Sequence, residues 1–229
     1  MSASSPVTDA TPPTRGPGVR LVLPLVVIAT ILGGVTLLLA AGASKPTLPG
    51  NAATTTTTGL DGLALRPLLP APALDTLRNY NGASFDLATQ RGKAVFVTFL
   101  YTHCPDVCPL IASHLHAAYA TMPATLRRRV AIVAVSVDPR GDTAGTVAAF
   151  VQQHQLTGEA SYLIGSASQL VPVWKAWRVG SQRDTSRPDL VNHSALVFGI
   201  SARGKLVTIY PANFKPSDIT HDVPALLAG

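Results

Sequence analysis

Cys104 and Cys108 are the only thiols in the chain, four residues apart in Thr98-Phe-Leu-Tyr-Thr-His-Cys-Pro-Asp-Val-Cys-Pro109. At that spacing on one helical turn, Cβ atoms lie about 5–6 Å apart, so the sulfurs can form a disulfide or share a metal ion. A pair of thiolates suits a soft cation such as Cu(I). Pro109 has no amide N–H and fits the first position of a helix, which puts Cys108 at the N-cap and Cys104 in an irregular turn before it. Unsatisfied N–H groups at a helix start stabilise a thiolate, so a lowered thiol pKa is expected at this turn. The pair can therefore act as a redox-active dithiol, as a metal site, or as a structural bridge. Closing so short a loop restrains the unfolded chain only slightly, which weakens the last of these.

The elements around the cysteines have to position them. Ala94–Tyr101 is a run of apolar, β-branched and aromatic residues that reads as a buried strand, ending just before Cys104. Val130–Val137 is a second continuous apolar run, expected to lie parallel to the first. A helix is expected over Leu110–Met122, and another from Asp142 or Thr143 to about Gln155. Asn81-Gly82 signals a turn between short extended segments. A short strand at Tyr162–Ile164 precedes a helix over Gln169–Val179, with Pro172 in its first turn. His193–Ile200 and Leu206–Tyr210 then form a hairpin around Arg203-Gly204, and a last helix runs from about Pro216 to Leu227. Strand, helix, strand, helix, hairpin and helix is the order of a thioredoxin-like α/β fold, a central mixed sheet flanked by helices. The cysteine loop is expected at the C-terminal end of a central strand.

The 229 residues allow one ordinary domain plus an extension, and only 13% of them are charged. Residues 19–44 supply the extension. From Leu21 to Ser44 there is no charge, and the stretch is long enough to cross a hydrocarbon core of about 30 Å. Arg15 and Arg20 precede it, which favours the N-terminus inside and the bulk of the chain on the extracytoplasmic side of the cell membrane, in a single pass. A cleaved signal peptide ending near Ala41-Gly-Ala43 is the alternative. Residues 1–18 read as a disordered cytoplasmic tail, 45–73 as a flexible linker and 74–229 as the folded domain. The net charge of +6 does not indicate a nucleic-acid partner, because the Lys and Arg residues are scattered. The Arg127-Arg128-Arg129 triplet reads as a solvated turn.

The Thr98–Pro109 segment resembles the Sco/SenC family of membrane-anchored copper proteins. Val135-Ser-Val-Asp-Pro139 with Asp142-Thr143, Asn192-His193-Ser194 and the N-terminal apolar segment agree with it. The resemblance covers roughly Leu74 to Ala228. It implies a single copper ion, Cu(I) or Cu(II), held by Cys104, Cys108 and His193. It further implies a partner, the copper A subunit of cytochrome c oxidase, to which copper is delivered or whose cysteines are kept reduced. Three ligands leave room for a recipient's thiolate to enter.

The family often has Asp before the histidine where this chain has Asn192. A carboxylate there would raise the basicity of the imidazole, so the amide is expected to weaken copper binding. His103 is expected to point away from Cys104, and His114 and His116 to be exposed helix positions. His154 and His221 add only surface polarity. Asp106 either tunes the thiols, meets the recipient or caps a turn. The competing function is a metal-free extracytoplasmic thiol–disulfide oxidoreductase using the same two cysteines. A third reading is a tethered interaction domain with a structural bridge.

Overall fold

A computed structural model describes residues 59–187 and 190–229 of the chain. The expected tail, the expected membrane anchor and residues 45–58 of the expected linker lie outside the described residues. Among the described residues, no helix is long and apolar enough to cross a membrane.

The first long strand is β3 (Ala94–Leu100), preceded by two short ones, β1 (Leu63–Ala64) and β2 (Arg78–Asn79). After β3 come helix α1 (Val107–Thr121), the one-turn α2 (Ala124–Arg127), β4 (Val130–Ser136), α3 (Ala144–Gln153), β5 (Ala160–Ile164) and α4 (Ala167–Ala176). The chain closes with β6 (Ser181–Arg183), β7 (Val191–His193), β8 (Leu196–Ile200), β9 (Leu206–Pro211) and α5 (Pro216–Ala228).

Seven strands form one mixed sheet in the order β1-β9-β8-β3-β4-β5-β2. β3, β4 and β5 are parallel, and the remaining pairings are antiparallel. Every residue of β3 is buried, as expected of a central strand covered on both faces. Alternation along it sends Phe96 towards Tyr210, and Phe99 towards Trp177 and Phe198. The expected thioredoxin-like arrangement is present, with the cysteine loop leaving the C-terminal end of β3.

Three local expectations are corrected. The stretch from His193 to Ile200 is two strands: β7 pairs only with β6 in a separate ribbon, and β8 begins at Leu196 in the main sheet. Helix α4 starts at Ala167, so Pro172 falls in its second turn. The folded domain also begins upstream of Leu74. β1 pairs with β9, the Leu65 amide donates to the Val207 carbonyl, and the Ala71 amide donates to the Gly204 carbonyl. This edge is fastened at Asp222, a fully buried carboxylate on α5. It accepts the amides of Asp61 and Gly62 at 2.8 and 3.0 Å and the Tyr210 hydroxyl at 2.7 Å. Gly62 lies so close to Thr208 and Tyr210 that a Cβ has no room there.

Candidate metal centre

Leu100 ends β3, and the chain turns through Tyr101-Thr-His-Cys-Pro105 into α1. Asp142 holds that turn. One of its carboxylate oxygens accepts the Thr102 amide at 2.8 Å and the Thr102 hydroxyl at 2.9 Å. The other accepts the Ser136 hydroxyl at 2.6 Å and the Tyr162 hydroxyl at 3.2 Å. Burial raises the Asp142 pKa, and these donors oppose the rise. Of the two caps the sequence offered, Asp142 and Thr143, the cap of α3 is Thr143, which leaves Asp142 to the cysteine turn.

The expected helix start is also corrected. Asp106 is the N-cap of α1, its carboxylate accepting the Val107 amide at 2.6 Å, and Cys108 is the second helical residue. The helix-start amides therefore act on the other cysteine: the Cys108 N–H donates to Cys104 Sγ at 3.4 Å. Both thiols are free and buried. The Cys108 thiol and the neighbouring amides draw the Cys104 thiol down to about 6, against desolvation. The same contact with Cys104, together with burial, pushes the Cys108 thiol far up. The pair is thus one readily ionised thiol, Cys104, and one held protonated beside it, Cys108, where the sequence suggested a lowered pKa at the N-cap itself.

His193 comes from 85 residues downstream of Cys108, and its Nε2 lies 3.7 Å from Cys108 Sγ. The ribbon places it there. His193 pairs with Ser181 across β6–β7, the Ser181 hydroxyl donates to the Val137 carbonyl at 3.2 Å, and Arg183 forms an ion pair with Asp138. Tyr101 steadies the other strand: its hydroxyl accepts the Val191 amide at 3.3 Å, and its ring meets the imidazole edge-on at 5.7 Å. Nδ1 lies 3.2 Å from the Ser194 carbonyl, which can only accept, so Nδ1 carries the proton and the Nε2 lone pair faces the sulfur. Burial lowers the His193 pKa and favours the neutral ring that a metal requires.

These contacts show what stands beside the imidazole in place of a carboxylate at residue 192. The Asn192 side chain is exposed and bonds to Asp184. A backbone carbonyl sets the tautomer, so the residue preceding His193 does not tune the ring directly.

A cavity of about 260 Å³ opens beside the site, lined in part by Cys104, Asp106, Val191 and His193. Two sulfurs and a neutral imidazole form a donor set suited to copper in either oxidation state. The three donor atoms are not drawn into one tight cluster. Among the described residues, only Asp61, His221 and Asp222 offer three ligand atoms all within 4.8 Å of one another.

The other histidines are engaged elsewhere. His103 Nδ1 lies 3.2 Å from the Thr102 hydroxyl. His114 and His116, expected to be exposed, are half-buried, with His114 at the Phe214 carbonyl and His116 paired with Glu159. His221 is more than surface polarity, since it bridges Asp61 and Asp222.

Residues 76–228 match the SCO1/SenC family. The chain belongs to that family. Among SCO1/SenC relatives, the mitochondrial SCO2 homologue of Bos taurus is 29% identical over 160 residues, covering 65% of this chain and 56% of that protein. The chain thus spans little more than half the length of such curated relatives. The solution structure of apo Sco1 from Thermus thermophilus is 27% identical with a TM-score of 0.64, covering 73% of this chain and 96% of that one. The Arabidopsis thaliana ScoI structure, solved with copper bound, is 24% identical with a TM-score of 0.58 and shares the fold over 70% of this chain and 99% of its own.

Proposed function

We propose that this SCO1/SenC protein binds one copper ion through Cys104, Cys108 and His193 and passes it to the copper A site of cytochrome c oxidase. The copper is cargo. It would be held at the mouth of the sheet, on the extracytoplasmic side of the membrane to which residues 19–44 tether the chain. The observation that carries this reading is the 3.7 Å approach of His193 Nε2 to Cys108 Sγ across 85 residues of sequence. A structural bridge has no use for a neutral, correctly tautomerised imidazole at its sulfur. The copper-bound Arabidopsis relative, with the same fold, supports the assignment. The uncharged Leu21–Ser44 stretch supports the tether.

Anaerobic titration of the reduced protein with Cu(I), with metal quantified after desalting, tests the proposal. One equivalent should be retained, and it should be lost in Cys104→Ser and much reduced in His193→Ala. Full retention in both variants would sink the assignment.

One feature favours a second reading, metal-free thiol–disulfide exchange. Cys104 is largely thiolate at neutral pH, while Cys108 is held protonated beside it, an asymmetry suited to attack by one sulfur and resolution by the other. His193→Ala separates the two: it should leave dithiol oxidation intact under the copper reading and under the exchange reading alike, and only the copper reading predicts lost metal.

A further inference from the structure

The end of the sheet opposite the cysteines is a pole of positive charge that has no ion-paired carboxylate among the described residues; Lys93 donates to Gln90 at 3.1 Å and Arg127 lies over the Tyr119 ring. Three loops meet there. The Ala94 amide donates to the Arg129 carbonyl at 2.9 Å, tying the start of β3 to the end of the Arg127–Arg129 triplet. The Gly92 amide donates to the Ala202 carbonyl at 2.9 Å, tying the same turn to the β8–β9 loop. Across that junction the Arg91 guanidinium lies directly against Gly204.

The fold therefore gathers Arg91 and Lys93 from the first loop, the triplet from the second, and Arg203 and Lys205 from the third. Read along the sequence, the triplet is a solvated turn. In the folded chain it is one part of a seven-cation surface.

Among the described residues, none of these seven side chains has a carboxylate partner within ion-pair distance. The two acids bordering the loops are engaged: Glu159 pairs with His116, and Asp86 caps the single helical turn Leu87–Gln90, accepting the Ala88 amide. Arg91, Arg128, Arg129 and Arg203 are exposed. Like charges packed without counter-ions cost free energy, and an anionic surface relieves that cost.

We infer that this pole docks on an anionic lipid surface. The inference rests in part on the tethered reading, because an inserted Leu21–Ser44 segment holds the domain within reach of headgroups. The charge itself supplies the complementarity: basic clusters close to a leaflet rich in anionic lipid gain roughly fivefold in partitioning per Lys or Arg, over a range set by the Debye length. Docking by this end points the cysteine loop away from the membrane. The seven residues of β3 separate the basic loops from Tyr101 by roughly 20 Å at a strand's rise per residue. The cavity at Cys104 and His193 then faces solvent and an incoming recipient.

The test uses the full chain reconstituted in nanodiscs of pure phosphatidylcholine, or of phosphatidylcholine with one-third phosphatidylglycerol. Hydrogen exchange is read separately at the three basic loops and at residues 102–108. Slower exchange at the basic loops is expected only with phosphatidylglycerol, with residues 102–108 unchanged and the protection lost in about 0.5 M salt. A triple variant, Arg128→Gln with Arg129→Gln and Arg203→Gln, should weaken docking about a hundredfold, and the corresponding Lys triple should retain it. These three positions are exposed, so the fold is kept.

Exchange that is the same in both lipids overturns the inference. The tether is read independently, by retention on the nanodisc in 1 M salt. A chain that washes off there, yet binds phosphatidylglycerol vesicles at low salt through the same loops, keeps the docking surface and loses the anchor.

Discussion

Replacing Asp142 with alanine removes the acceptor that fixes the cysteine turn, and its cost follows from the donors left behind. Ser136 and Tyr162 are fully buried, and both give their hydroxyls to this carboxylate. Each hydroxyl left without an acceptor costs about 1–3 kcal/mol. The Thr102 amide and hydroxyl sit nearer solvent, where water can replace the lost partner. Relief of the buried carboxyl, whose pKa is raised by desolvation, offsets part of the loss. The net destabilisation should be about 2–4 kcal/mol, read by urea unfolding of the domain from Gly59 onward. Asp142→Asn keeps one oxygen and the side-chain shape, so its loss should be about half as large. Because Thr102 stands two residues before Cys104, the alanine variant should also retain less Cu(I) at conditions where it remains folded. An alanine variant within 0.5 kcal/mol of wild type, with copper retention unchanged, would refute the claim that Asp142 holds the loop.

Alkylation of the reduced protein by iodoacetamide should follow a midpoint near pH 6 at Cys104, because its folded pKa is drawn down to about 6, and should spare Cys108. Peptide mapping checks this; a Cys104 midpoint above pH 8, or preferential labelling of Cys108, contradicts it. Tyr101→Phe takes the acceptor from the Val191 amide and should loosen the ribbon by about 1–2 kcal/mol. Copper should then dissociate severalfold faster in a competition assay, and unchanged dissociation would remove Tyr101 from the site. Asn192→Ala should change copper affinity less than twofold, since that side chain bonds to Asp184. A tenfold loss would mean that residue 192 acts on the imidazole after all.

The central strands were legible because burial on both faces demands continuous apolar runs, and Ala94–Leu100 and Val130–Ser136 are such runs. The cysteine turn was legible from the end of β3, while Pro109, read as the first helical residue, stands third. His193 was different in kind. No local spacing links it to the cysteines, so only the resemblance to a family selected it among six histidines.

The ribbon that carries His193 escaped the sequence reading because β6 and β7 have three residues each, too few to display a period. Asp142 escaped for a related reason: its partners Thr102, Ser136 and Tyr162 meet only once β3, β4 and β5 are aligned. The more acidic thiol was assigned to the helix start, and in the structure it is Cys104, because the Cys108 thiol and the helix-start amides donate to its sulfur.

Two residues of β1 shield an otherwise bare border of the sheet. A fragment cut at Leu74 would strip β9 of its outer neighbour and leave the Asp222 carboxylate without two of its amide donors. A naked strand of that sort invites a second molecule to add itself alongside. Light scattering on fragments beginning at Gly59 and at Leu74 should find the longer one monodisperse and the shorter one self-associating; equal behaviour would mean that the border protects itself.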